Sequence, residues 1–179
     1  MPNAKSPRDT DGALRRPLAL TALAAAAALW MAALVWAPSP RGEALGISRS
    51  QASIASALVY VAGSFICHQR PERSFHRAGA QLPVCARCFG FYAGGLLGVL
   101  AWAGIAGSGT KALARARRVL HSGRLRLGLI LLGLPTLATV IMTALGWWDA
   151  PNIPRALSAL PLGGAIGALV AAFVAGDLR

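Results

Sequence analysis

Acidic side chains are scarce in this sequence. Its 179 residues include 6 Asp+Glu against 18 Lys+Arg, and only 13% are charged, roughly half the ~25% usual for a soluble domain. Cysteine is also rare, at three residues, too few to staple a small secreted scaffold. The shortage of charge, with 55% hydrophobic residues and a mean hydropathy of +0.54, excludes a disordered tail. The net charge of +12 invites a nucleic-acid reading, but the basic residues sit between long uncharged runs. In a bilayer such residues gather in connecting segments and at headgroups. The implied partners are therefore the lipid bilayer and anionic headgroups, with no nucleic acid.

Several apolar runs are long enough to matter. Residues 17–37 hold 21 residues without a charge, about 31 Å as a helix against a ~30 Å hydrocarbon core. Arg15 and Arg16 precede the run, and Val35-Trp36-Ala37 resembles a cleavage site. The run nevertheless exceeds a signal-peptide h-region, so a retained helix is expected. Residues 51–66 reach only about 24 Å and read as a short or re-entrant helix. Residues 89–106, 127–148 and 157–176 are further spans, the second interrupted by Pro135 and lined by Thr136, Thr139 and Thr143. The expected fold is an all-α polytopic transmembrane bundle of four or five membrane segments, with residues 51–176 forming one domain. A disordered basic tail is expected over 1–16, and a basic connector over 107–126 that contains a solvated His121.

Gly90, Gly94 and Gly98 recur every four residues, and Gly163 and Gly167 repeat the spacing. Small residues at this interval let membrane helices approach closely, so these helices are expected to pack together. Five crossings would divide the Lys and Arg residues nine against nine. Four crossings give eleven against seven. The positive-inside rule then favours four, with both termini in the cytoplasm and 38–88 outside an inner cell membrane.

Residues 67–88 carry the chemistry. They contain all three cysteines (Cys67, Cys85 and Cys88), His68, His76, and the arginines Arg70, Arg73, Arg77 and Arg87. Cys85-x-x-Cys88 has the spacing of half a zinc site, and Gly90 could relax the backbone beside it. Seventeen residues lie between Cys67 and Cys85, near the separation of half-sites in many zinc modules. With His68 or His76 as the fourth ligand, a Cys3His centre for zinc or iron is the first reading. Gln69, Arg73 and Arg87 would support it as ligand-contacting or outer groups. A second reading is thiol–disulfide exchange through Cys85 and Cys88, with Cys67 as a third thiol and a quinone as electron acceptor. A third is a lipid- or partner-binding scaffold, in which Arg70, Arg73 and Arg77 share a helix face and bind headgroup phosphate. Asp149, Asn152 and Arg155 form a further polar cluster on the same side of the membrane under either topology.

The run Cys67-His68-Gln69, Pro71-Glu72-Arg73-Ser74-Phe75, Gly79 and Pro83-Val84-Cys85-Ala86-Arg87-Cys88, followed by Gly90, Tyr92 and Gly94, resembles a bacterial and archaeal family of small membrane proteins, domain of unknown function 2085. The late Asn152 and Arg155 fit the same pattern, and the likeness extends over about residues 52–176. It implies a membrane fold and marks the motif as the site, without implying a reaction. Members often carry an acid in the helix after the basic connector. Here that helix has none, which counts against a proton or cation pathway.

Overall fold

A computed structural model of the chain describes residues 7–37, 49–77, 79–120, 122 and 124–178. The order is α1 (Pro7–Trp36), α2 (Arg49–Ser64), β1 (Ser74–Arg77), β2 (Ala80–Cys85), α3 (Ala86–Gly107), α4 (Thr110–Leu120), α5 (Arg124–Ala144) and α6 (Asn152–Val174). Among the described residues, four helices are long and apolar enough to cross a bilayer: Arg15–Trp36, α3, α5 and α6. The apolar part of α2, Ile54–Ser64, falls short of that length. The fold is thus the expected all-α bundle with four candidate spans, plus one small two-stranded sheet.

Several boundaries differ from expectation. Helix α1 begins at Pro7, so most of the stretch read as tail is helical; residues 1–6 lie outside the described residues, as does His121. Helix α3 starts at Ala86, which puts Cys88 in its first turn rather than in a loop. Helix α5 ends at Ala144, before the Trp pair. The N–H groups of Trp147 and Trp148 then turn back onto the Met142 carbonyl at 3.0 and 3.3 Å, with Gly146 at φ +70. Helix α6 starts at Asn152, five residues earlier than its apolar run. Pro154 sits in the first turn, where the N–H it lacks has no intrahelical partner to lose.

The tightest packing joins α3 to α6. A Cβ on Gly90 would stand 2.0 Å from the Ala156 carbonyl oxygen, on Gly94 2.2 Å from that of Leu160, and on Gly98 2.0 Å from that of Gly164. Reciprocally, a Cβ on Gly163 would meet the Phe91 oxygen at 2.2 Å, and on Gly167 that of Gly95 at 2.1 Å. Partner numbers rise together along both helices, so α3 and α6 run parallel with backbone against backbone. Gly90 therefore serves helix contact and does not relax the chain beside the cysteines.

Helix α5 joins through α6. Thr136 donates to the Ser158 carbonyl at 2.8 Å, and the Thr139 and Ser158 hydroxyls lie 3.4 Å apart. Thr143 bonds back to its own helix at the Thr139 carbonyl, 2.8 Å away. None of the residues of α5 is buried. Ile130 and Leu131, for instance, are 56% and 54% exposed, the kind of surface a bilayer covers.

At the far end of the α3–α6 pair, Asp177 is 2% exposed. It receives Arg16 Nη2 at 2.8 Å, Trp102 Nε1 at 3.1 Å and Arg117 Nε at 3.1 Å. One carboxylate therefore ties together α1, α3, α4 and the end of α6. Leu113 and Ala116 of α4 pack on the same apolar cluster as Trp102.

Candidate metal centre

The cysteine end of the bundle is organised by a hairpin. Strands β1 and β2 pair antiparallel with Ser74 opposite Cys85, His76 opposite Gln81 and Arg77 opposite Ala80. Gly79, at φ +81, occupies the turn, a conformation glycine adopts at little cost. A short 3-10 turn, Pro71–Arg73, leads into β1. Arg70, Arg73 and Arg77 therefore do not share a helix face: Arg70 precedes that turn, Arg73 closes it, and Arg77 ends a strand. Arg77 instead reaches α1, donating to the Val35 carbonyl at 2.9 Å and lying 5.3 Å from the Trp36 ring centre.

The hairpin is anchored on α2 by Gln69 of the motif together with Tyr60, Gly63 and Gln81, which the motif does not single out. Gln69 Nε2 donates to the carbonyls of Tyr60 and Pro83, both at 2.7 Å, and the Gln69 carbonyl accepts from Gln81 Nε2 at 2.6 Å. The Tyr60 hydroxyl donates to the Gln81 carbonyl. A Cβ on Gly63 would meet the Pro83 oxygen at 2.5 Å, so α2 lies directly against β2. Gln69 holds a left-handed backbone at φ 46, an uncommon conformation for a residue with a Cβ. These side-chain bonds supply the constraint that keeps it there.

The three sulfurs converge. The Sγ atoms of Cys67, Cys85 and Cys88 lie within 4.8 Å of one another, brought from the segment just after α2, the end of β2 and the first turn of α3. All three are free thiols. Cys67 is buried and packs with Leu34 and Val84, while Trp30, Met31 and Tyr92 close the same cluster. Its sulfur accepts the N–H of Cys85 at 3.1 Å and that of Gln69 at 3.5 Å. The Cys85 thiol is lowered from its ordinary value to about 5, chiefly by hydrogen bonding from the Cys88 thiol. Three sulfurs at these separations fit one ion at the ~2.3 Å Zn–S distance, since a tetrahedral site sets its sulfurs about 3.8 Å apart.

The histidines do not join them. His68 and His76 are exposed, and the sulfur group contains neither. Gln69 touches a sulfur only through its backbone N–H; its side chain holds the hairpin.

Beyond the sulfurs stand Arg73, Arg87, Asn152 and Arg155. Asn152 Nδ2 donates to the Ser74 carbonyl at 2.9 Å, binding α6 to the hairpin. Arg155 is 3% exposed; it pairs with Asp149 and donates to Asn152 Oδ1 at 3.4 Å. Arg87 Nη2 donates to the Thr139 carbonyl at 3.0 Å. The polar cluster after the Trp pair thus meets the cysteine segment.

Comparison with known proteins places this arrangement. The profile of a family described as a predicted membrane protein, domain of unknown function 2085, matches residues 67–169. An uncharacterised protein of Methanocaldococcus jannaschii is 51% identical over 45 residues, which is 25% of this chain and 29% of that protein. The chain thus spans under a third of that relative. An uncharacterised protein of Methanothermobacter thermautotrophicus is 30% identical over 99 residues, 55% of this chain and 78% of that protein. No solved structure matches.

Proposed function

The chain belongs to the domain of unknown function 2085 family of membrane proteins, and from that premise we propose that it holds a thiophilic metal ion, zinc or iron, on Cys67, Cys85 and Cys88. The observation that carries this reading is the convergence of three sulfurs from three separate elements. A thiol-exchange pair needs two sulfurs; the third, Cys67, buried and accepting two backbone N–H groups, is better explained as a ligand. Backbone donors of this kind stabilise thiolate charge and orient it toward a metal. The exposure of His68 and His76 favours water or an incoming ligand in the fourth position, the pattern of sites that keep a coordination position open. The charge asymmetry favours an inner-membrane, multi-pass protein with its cysteine end outside.

The test is elemental analysis of the full chain purified in detergent. Close to one zinc or iron per chain is expected, lost in Cys85→Ser and in Cys67→Ser. A folded, metal-free protein overturns the reading. A Cys85–Cys88 disulfide that follows quinone supply would replace it with the exchange reading.

A further inference from the structure

The arginines beside the sulfurs have a chemistry of their own. Arg73, Arg87 and Arg155 come from the turn before the hairpin, from α3 and from α6, and the fold gathers them. Ser74, next to Arg73, is paired with Cys85 and bonded to Asn152; Arg87 follows Cys85 by two residues, and Arg155 bonds Asn152. Arg155, Arg73, Cys85 and Asp149 are among the charged neighbours of Arg87. Each of the three guanidiniums has a buried Nε with no hydrogen-bond partner among the described residues. Nε and its neighbouring Nη form the edge that arginine presents to phosphate and carboxylate in bidentate contacts.

The electrostatics of this end are unbalanced. Because α3 and α6 run parallel, both N-termini lie at this end, and neither has a side-chain cap. Each contributes roughly half a positive charge. Against three guanidiniums stand Asp149, already paired with Arg155, and the Cys85 thiolate; Glu72 is exposed. A three-thiolate centre holding a divalent ion carries the same single negative charge as that thiolate alone. The remainder is roughly two positive charges in either state. Even half-buried, such an excess is costly to leave without a counter-ion.

We propose that Arg73, Arg87 and Arg155 form an oxyanion site for a phosphate group, held by the Nε edges of the three guanidiniums beside the N-termini of α3 and α6. The site does not rest on the metal reading. The phosphate is that of a free inorganic or small phosphorylated molecule, or that of an anionic lipid headgroup at the membrane surface. The geometry suits both: Arg155 is fully enclosed, whereas Arg73 and Arg87 are half-buried and open the site toward the surface.

The full chain in nanodiscs separates these sources. One arm titrates inorganic phosphate into protein in purely zwitterionic lipid. The other follows retention of phosphatidylglycerol by native mass spectrometry from mixed-lipid discs. Saturable phosphate binding assigns the free anion, and selective lipid retention assigns the headgroup; either supports the site. Arg73→Gln and Arg87→Lys should each weaken binding at least tenfold, the latter because lysine keeps the charge and loses the fork. Arg118→Gln, on exposed α4, should leave it unchanged. Arg155→Gln removes the partner of Asp149 and can unfold the end, so the first two variants decide. Binding in neither arm, or binding indifferent to Arg73→Gln and Arg87→Lys, overturns the proposal. So does phosphate binding abolished by chelator while the protein stays folded, which would put the anion on the metal.

Discussion

Asn152 donates its side-chain amide to the main-chain carbonyl of Ser74 across 2.9 Å, so the first turn of α6 is fastened to the strand that pairs with Cys85. Removing that bond tests how far the sulfurs depend on α6. Asn152→Ala should cost about 1 kcal/mol of stability and weaken metal retention roughly 10–100-fold. Thermal unfolding in detergent and competition with a chromophoric chelator measure both. Unchanged retention would show that the hairpin holds the cysteines unaided.

The glycine contacts give a steric prediction. With a Cβ on Gly94 standing 2.2 Å from the Leu160 oxygen, Gly94→Leu must push α3 off α6. A loss of at least 1–3 kcal/mol is expected, about the cost of overpacking. Gly104→Leu on the same helix meets nothing within 4 Å and should be close to neutral. Equal destabilisation of both variants in a steric-trap or SDS-unfolding assay would refute the packing account.

The pH dependence follows from Cys85. Its folded value, about 5, lies below that of an unfolded thiol, so its contribution to stability is fully present above the ordinary thiol range. That contribution shrinks as pH falls and is gone below about 5. In metal-free protein, the site-resolved rate of Cys85 alkylation should be nearly level from pH 8 to 6 and halve near pH 5, as thiolate is lost. A midpoint in the ordinary thiol range would contradict it.

Asp177 is enclosed by Arg16, Arg117 and Trp102. Asp177→Asn should destabilise the chain by on the order of 2 kcal/mol, less than the 3–5 of a fully buried pair because both arginines remain partly solvated. Sulfur alkylation at the opposite end should be unaltered at moderate temperature. A change there without loss of stability would contradict a purely structural clamp.

Orientation is tested in intact cells. With the basic connector inside, a membrane-impermeant maleimide should label His68→Cys and spare Lys111→Cys in a background lacking the native cysteines. The reverse pattern inverts the topology.

The helical part of this architecture was legible because its determinants are local. Uncharged runs set the spans, and four-residue glycine spacing foretold the α3–α6 contact. The hairpin was harder to see, because Pro71, Gly79 and Pro83 read as breakers, while the six-residue strand Ala80–Cys85 becomes ordered only through Gln69 and Tyr60. The irregularity between Ser74 and His76 matters most for the site. Strict alternation would give these residues one face, yet Ser74 is buried and His76 exposed, as a bulge permits. A histidine at plausible ligand spacing is thereby turned outward. Asp177 carried no signal at all: a single acid after a span looks like an interfacial anchor until Arg16, over 150 residues away, is brought beside it.

The parallel α3–α6 pair also limits how this molecule can move. Helices whose carbonyls are seated where a Cβ would not fit can neither slide nor roll past each other without first separating. The pair therefore acts as one stiff beam, with Cys88 and Arg87 on one rail and Asn152 and Arg155 on the other. The hairpin rests on the beam's end through the Asn152–Ser74 bond, and α2 rests on the hairpin through Tyr60 and Gln69, so the wall beside the sulfurs hangs on hydrogen bonds that can open one at a time.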